Sequence, residues 1–314
     1  MNSTSRKPLK SVESPTQQSD IIIELGGKVH ISFLWDDLKD IALSSPTDPA
    51  ALSSPERHTP GWSVPTSLIF QQARDEYRSC QLCPKKCGFN RLEKSHPTCG
   101  DSSLRVATFG ISHGDEPAIR GTQGSGAIML SGCPLKCPSC HNPEKVSHGT
   151  PTSPEAFLRI CKDLYDRGAH NIQILSPTVH LPALRAVLIA LRESRFPLSI
   201  VLKSSGYESV EQLQRLEGLV DVYLPDFKFG PHSSWSRRAG VRDYFEKAST
   251  AVHEMFRQVG GLTLDASGVA KKGVLIRHVR APLPADEQAL IDRFLGTLPA
   301  EIGLSIQNNF VTLE

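Results

Sequence analysis

The sequence lacks long apolar runs and has almost no excess of charge of either sign. The longest continuous apolar run is AVLIAL at 186–191, far short of the roughly 20 residues that span a bilayer. Lys and Arg number 35 and Asp and Glu 33, which gives a formal net charge of +2. General nucleic-acid binders carry a concentrated basic surface instead. We therefore expect neither a membrane protein nor a nucleic-acid-binding protein.

The N-terminal region also lacks features of a secreted or repetitive protein. Residues 1–20 contain no apolar core that a secretion signal would use, so we expect a cytoplasmic protein. We predict that residues 1–76 form a disordered or linker extension, since residues 44–66 are rich in Pro and Ser. Residues 21–43 within it have enough apolar content to pack locally. We see no repeat of solenoid period.

Cysteine is the informative residue type. Seven of the eight cysteines lie between Cys80 and Cys140, in two tight groups. Cytosolic thiols stay reduced, so close groups of this kind indicate metal ligands, with disulfides as the alternative. The eighth, Cys161, lies in a helical pattern and is typical of a small buried apolar residue.

Short apolar runs alternate with helical patterns from residue 126 onward. This alternation predicts parallel strands joined by right-handed crossovers, in an open partial barrel or a doubly wound sheet. Either fold places the active site at the C-terminal ends of the strands. The predicted strands are 127–131, 171–176, 198–204, 219–225, 273–279 and 302–307, and the predicted helices are 152–168, 181–194, 208–218, 242–260 and 286–296.

The loop after the first of these strands carries a C-x3-C-x2-C motif formed by Cys133, Cys137 and Cys140. Three thiolates hold three corners of a cubane iron–sulfur cluster and leave the fourth iron open for chemistry. Zinc is the competing metal, but structural zinc takes four closed ligands. His141 is a poor fourth ligand, because it is adjacent to Cys140 in the chain.

The motifs resemble the radical S-adenosylmethionine (SAM) enzymes. CPLKCPSCHNPE is similar to the cluster loop of pyruvate formate-lyase activating enzymes, and further similar segments extend over about residues 77–307. The resemblance implies an α/β fold, a partial (β/α)6 TIM-type barrel of parallel strands at 105–314, after a Cys-rich module at 77–104. The further segments are CQLCPKKCGFNR, GSGAIMLSGC, GAHNIQILSPTVH, LEGLVDVYLPDFKF, AVHEMFRQVG and GVLIRHV.

The resemblance also implies a mechanism. Cys133, Cys137 and Cys140 would bind a [4Fe–4S] cluster, whose electron cleaves SAM to a 5′-deoxyadenosyl radical that abstracts hydrogen from a substrate. In glycyl-radical activators that substrate is a protein partner, and the electron comes from a flavodoxin- or ferredoxin-like donor. Two alternatives stay open: a radical SAM enzyme acting on a small molecule or another protein, and a degenerate, non-catalytic iron–sulfur or zinc protein.

The strand ends supply the residues that the resemblance assigns to SAM. The oxygens of Ser176 and Thr178 suit the methionyl ammonium group. The hydroxyls at the end of the third strand, Ser204 among them, would hold the methionyl carboxylate or the ribose, with Lys203 adding charge. Arg277 suits a carboxylate, and His278 would lie at the adenine end. The alternative for each of these positions is an ordinary turn, surface ion pair or buried histidine. The candidates are Ser176, Thr178, Lys203, Ser204, Asp226, Lys228, Arg277 and His278.

Two departures from the family pattern keep the non-catalytic alternative open. Ser139 stands before the third cluster cysteine, where the family has an aromatic residue that helps to hold adenine. The last strand continues as IQNNFVTLE, whereas the family has a Gln-Tyr-x-Pro type segment there.

The second cysteine group comprises Cys80, Cys83, Cys87 and Cys99. Four thiols close a structural zinc site or hold an auxiliary iron–sulfur cluster. The spacing does not distinguish these metals, although we favour a structural metal.

Overall fold

The computed structural model describes residues 21–24, 73–280 and 283–307. Most of the predicted N-terminal extension, including 25–72, lies outside the described residues, as does the segment after Gln307. Among the described residues, no helix combines the length and apolar character needed to cross a membrane.

A mostly parallel, unclosed sheet forms the centre of the fold. Its neighbour order is β1-β10-β9-β7-β6-β5-β3-β2-β4, with β8 paired to β9. Six strands, β3, β5, β6, β7, β9 and β10, run parallel in chain order, which confirms the predicted α/β partial barrel. The strands are β1 (Ile21–Glu24), β2 (Arg105–Ser112), β3 (Ser125–Leu130), β4 (Thr150–Pro151), β5 (Asn171–Leu175), β6 (Ser199–Ser204), β7 (Val222–Pro225), β8 (Thr263–Leu264), β9 (Ala270–Val279) and β10 (Gly303–Gln307).

Helices connect the parallel strands. The longest of them match the predicted segments closely, because their apolar residues repeat at helical spacing. The Ser153 side chain accepts a hydrogen bond from the backbone amide of Ala156, as expected of an N-cap. The helices are α1 (Pro117–Arg120), α2 (Pro143–Ser147), α3 (Pro154–Asp166), α4 (Leu181–Glu193), α5 (Val210–Gln214), α6 (Ser234–Arg238), α7 (Tyr244–Val259) and α8 (Ala285–Thr297).

The antiparallel strands were not predicted. β2 pairs with β3 and carries an irregularity between Val106 and Thr108. β1 pairs with β10, from Ile21 opposite Gln307 to Glu24 opposite Leu304. Both strands extend the parallel sheet at its edges.

The central parallel strands β3, β5, β6 and β7 are buried on both faces. On β6, Ile200 and Leu202 belong to the main apolar core, whereas Val201 belongs to a second, smaller cluster. This smaller cluster forms where α1 places Ala118 and Ile119 against β6, β7 and β9. Side chains two residues apart share a face of a strand. The inner face therefore continues from this apolar cluster towards polar residues at the C-terminal strand ends.

Candidate active site

The loop between β3 and α2 carries Cys133, Cys137 and Cys140. The backbone amide of Cys133 donates to the carbonyl of Thr98 at 3.1 Å. At the start of the loop, His180 Nε2 lies 2.6 Å from the carbonyl oxygen of Ser131. The loop is therefore fixed between the N-terminal cysteine module and the turn that follows β5.

The three thiols line one cavity of about 230 Å³. Burial raises the pKa of Cys133 to about 12 and also raises the pKa of Cys137. Thiols of this kind stay neutral until a metal displaces their protons. The donor set is thus suited to a thiolate-bound metal centre.

The three thiols share the cavity lining without meeting at one point. In the described part of the chain, no three His, Cys, Asp or Glu side chains converge on a position for a single metal ion. A cubane cluster instead places each thiolate on a different iron atom, so its ligands surround a larger group. Three thiols around one cavity fit that requirement.

Polar strand ends complete the cavity wall. Parallel strands end at the same edge of a sheet, so residues from β5, β6, β7 and β9 meet there. Seven of the eight predicted SAM-binding residues line the cavity: Ser176, Thr178, Lys203, Ser204, Asp226, Lys228 and Arg277.

His278 is the predicted residue that lies elsewhere. It is fully buried, and its Nδ1 is 2.6 Å from the carbonyl oxygen of Phe227. Its Nε2 lies 3.0 Å from the side-chain nitrogen of Gln288 on α8. Because it follows Arg277 on the same strand, it faces the opposite side of the sheet. We assign its side chain to the packing between β9 and α8.

Asp226 joins two of the cations at the cavity wall. Lys228 Nζ donates to one of its oxygens, and Arg277 Nη1 lies 3.3 Å from the other. Burial alone would raise the pKa of Asp226, but the two cations hold that pKa at about 2. Asp226 is therefore ionised at neutral pH.

Two acidic residues that the sequence analysis missed hold the other side of Lys203 and Arg277. Asp115 Oδ1 is 2.8 Å from Lys203 Nζ. Glu116 Oε1 is 3.1 Å from Arg277 Nε and accepts from Gln307 Nε2 at 3.2 Å. Glu116 Oε2 has no hydrogen-bond partner but lies 3.7 Å from Lys203 Nζ.

These contacts balance the charge beneath the cavity. The carboxylates are Asp115, Glu116 and Asp226, and the cations are Lys203, Lys228 and Arg277. In the sequence, the feature that could have pointed to these ion pairs is the acidic pair Asp115-Glu116 immediately before Pro117. The pair comes shortly after β2, the segment RVATFGIS at 105–112.

The end of β5 has an unusual backbone. Ser176 has a φ of +57°, in the left-handed region that non-glycine residues rarely occupy. Its amide donates to the carbonyl of Lys203 at 3.2 Å. Strain of this type is frequent at functional sites, and here it occurs where the chain turns along the cavity wall.

Aromatic side chains also reach this cavity, although Ser139 replaces the family's aromatic residue. Both Ser139 and His141 line the cavity, together with Phe229. A planar ring stacks or packs edge-on against an aromatic side chain. Phe229 and His141 are therefore the described rings available to contact an adenine.

The N-terminal cysteine group forms a separate site. Cys80, Cys83, Cys87 and Cys99 line a cavity of about 310 Å³. Burial, with a smaller contribution from the nearby thiols of Cys99 and Cys80, raises the pKa of Cys83 to about 12. All eight cysteines lie in the described part of the chain, and each is a free thiol. The four thiols share this cavity, although within the described residues no three of them converge on the position of a single metal ion.

Comparisons with curated proteins identify two distant relatives, while no protein-family model matches the chain. The uncharacterized protein MJ0674 of Methanocaldococcus jannaschii is 29% identical over 190 residues, covering 57% of this chain and 54% of that protein. A putative glycyl-radical enzyme activating enzyme of Haemophilus influenzae is 28% identical over 118 residues, covering 35% and 43%. The chain therefore spans about half the length of these relatives.

Among solved structures, Streptococcus suis SuiB bound to its precursor peptide SuiA gives a TM-score of 0.37 at 16% identity. That match covers 52% of this chain and 34% of SuiB.

The sequence similarity to the putative glycyl-radical enzyme activating enzyme agrees with the cysteine motif and with the order of the parallel strands. Together they support a relationship to the radical SAM superfamily. This relationship implies a [4Fe–4S] cluster and SAM as cofactors.

Proposed function

We propose that this chain is a radical SAM enzyme. One observation carries the proposal: the three thiols of the C-x3-C-x2-C loop and the polar strand ends line the same cavity. A [4Fe–4S] cluster held there by Cys133, Cys137 and Cys140 would supply the electron for reductive cleavage of SAM. The protein supplies ligands, orientation and exclusion of water.

Different residues of the chain would bind the cluster and SAM. Cys133, Cys137 and Cys140 would hold the cluster, since thiolates are its usual ligands. Hydroxyl oxygens of Ser176 and Thr178 suit the ammonium group of SAM, which only donates hydrogen bonds.

Cations at the other strand ends suit the carboxylate of SAM. Lys228 and Arg277 each share Asp226, and Lys203 shares Asp115. These carboxylates hold the cations in place and balance their charge. Lys has three donor hydrogens and Arg five, so each cation can also donate to a ligand.

We further propose that the substrate is a glycyl-radical-type protein and that a flavodoxin- or ferredoxin-like protein donates the electron. The relative named as a putative glycyl-radical enzyme activating enzyme supports a protein substrate. Adding pyruvate formate-lyase as a probe tests this part. The proposal expects a glycyl radical signal in electron paramagnetic resonance (EPR), and a radical confined to a small-molecule substrate would contradict it.

The test of SAM cleavage is the formation of 5′-deoxyadenosine. The protein would be reconstituted anaerobically with iron and sulfide, reduced, and supplied with SAM. We expect 5′-deoxyadenosine from the native chain and none from Cys140→Ser. Cys161→Ala is the matched control, because Cys161 is buried in α3, away from the cavity. Absence of 5′-deoxyadenosine from native protein that has assembled its cluster would contradict the proposal.

A further inference from the structure

Glu208 is a buried carboxylate that the proposed chemistry leaves without a role. It lies just after β6, in the segment Gly206-Tyr207-Glu208, and its relative exposure is 1%. It is not among the residues that line the thiol cavity. A buried carboxylate is costly unless hydrogen bonds or charges compensate it.

Two hydroxyl groups of the cavity wall provide that compensation. Thr178 Oγ1 donates to Glu208 Oε1 at 2.7 Å, and Ser204 Oγ donates to Glu208 Oε2 at 2.9 Å. Thr178 and Ser204 come from different strand ends, yet both line the cavity. One carboxylate thus fixes the direction of two hydroxyl groups at the proposed SAM site.

The number of hydroxyl protons limits which hydrogen bonds Thr178 and Ser204 can offer to a ligand. A hydroxyl group has one proton to donate and two lone pairs that accept. While Glu208 is ionised, both protons are directed at its carboxylate, so the hydroxyls can offer only lone pairs to the cavity. Ser204 Oγ also accepts from the Gly206 amide at 3.3 Å and keeps one lone pair, whereas Thr178 keeps two. Two hydroxyls that can only accept hydrogen bonds suit an ammonium group, which donates, and do not suit a carboxylate, which accepts.

We propose that Glu208 is a positioning residue that makes Thr178 and Ser204 a pair of acceptors for the ammonium group of SAM. The inference rests on the proposed function and deepens it, because it sets which way round the amino-acid end of SAM binds. Ser204 then contacts the ammonium group rather than the carboxylate. The carboxylate is left to the cations on the other strand ends.

Glu208→Gln tests this positioning. The amide has nearly the same shape but only one acceptor oxygen, so at least one hydroxyl must turn its proton away. We expect the dissociation constant of SAM to rise about tenfold, as for the loss of one charge-assisted hydrogen bond. We expect the affinity for 5′-methylthioadenosine, which has no amino-acid group, to stay unchanged. Binding would be measured by anaerobic calorimetry on reconstituted protein, with 5′-methylthioadenosine as a competitor.

A second variant separates positioning from a general structural role. Thr178→Val with Ser204→Ala removes both acceptors, so adding Glu208→Gln to it should weaken SAM binding no further. Equal weakening of SAM and 5′-methylthioadenosine by Glu208→Gln would overturn the inference, as would additive effects in the triple variant. Failure of the native protein to bind SAM would instead overturn the proposed function.

Discussion

The carboxylate of Asp115 lies 2.8 Å from the ammonium group of Lys203, although the two residues are 88 positions apart in the chain. Asp115 immediately precedes the segment that places Ala118 and Ile119 on the inner face of the sheet. Lys203 lies on β6, two residues beyond Val201 on that same face. The segment at 115–120 thus both fills the inner face and holds a cation at the cavity wall.

Removing the carboxylate of Asp115 should destabilise the protein. Asp115→Asn leaves the largely buried Lys203 without its nearest partner, and breaking a buried pair in this way costs about 3 kcal/mol. Urea denaturation would measure the free energy of unfolding. Asp75→Asn is the control, because the Asp75–Arg78 pair is exposed and exposed pairs contribute less than about 1 kcal/mol. An equal decrease in the free energy of unfolding in the two variants would contradict the structural role of Asp115.

Glu208 should make stability depend on pH. Burial raises its pKa from 4.5 to about 7, with Asp226 adding to that rise and Lys228 opposing it. Between pH 4.5 and 7 the folded protein holds a proton that the unfolded chain has lost. The contribution of Glu208 to the free energy of unfolding therefore falls as pH rises through this window, by about 3 kcal/mol.

The comparison of native protein with Glu208→Gln isolates this contribution. His180 acts in the opposite direction, since burial lowers its pKa from 6.5 to about 4, but it is present in both proteins. Denaturation at several pH values should therefore show the native protein losing stability relative to the variant as pH rises. A constant difference between the two would show that the pKa of Glu208 is not raised.

Gly132 should be required for assembly of the cluster loop. Its φ is +85°, and an added Cβ would lie 2.9 Å from both the carbonyl oxygen of Cys99 and a methyl group of Val179. Gly132→Ala therefore adds a steric clash to the backbone strain, which alone costs about 1–2 kcal/mol. Gly218→Ala is the matched control, with a φ of +79° and no atom within 4 Å of the added Cβ.

Iron bound per chain after anaerobic reconstitution would be the readout for both glycine variants. We expect a clear loss of iron in Gly132→Ala and nearly native iron in Gly218→Ala. The same iron content in both would show that the tight approach of the loop to Cys99 is not needed.

The N-terminal cysteine group should hold its own metal. Cys83→Ser removes one of four thiols around the 310 Å³ cavity, and losing one ligand of four should release most of the metal. Zinc and iron analysis of native and variant protein would show which metal is lost. Unchanged zinc and unchanged iron would contradict a metal site here.

The sequence predicted the parallel strands well, because each one is a short apolar run between helical patterns. β7 and the end of α3 differ from the predictions by only a few residues. The antiparallel strands were missed for a physical reason. β1 has only four residues, and the pairing of β2 with β3 depends on contacts that no local pattern records.

The part of the candidate site that a single sequence motif contains, the C-x3-C-x2-C loop, could be predicted from the sequence. The spacing of Cys133, Cys137 and Cys140 predicts a cluster loop from the sequence alone, and the structure shows that the three thiols line one cavity. Asp115, Glu116 and Glu208 were missed because their roles arise from side chains that lie far away in the chain or face inward. Charge pairing across strands is not visible from composition or periodicity.

The EPR spectrum of the reduced, reconstituted protein, recorded with and without SAM, tests most directly whether cluster and SAM share one site. The thiols of Cys133, Cys137 and Cys140 line the same cavity as the proposed SAM-binding residues. We therefore expect a [4Fe–4S] signal that changes when SAM is added and is absent in Cys140→Ser. An identical signal with and without saturating SAM would show that the cluster and SAM do not share this site.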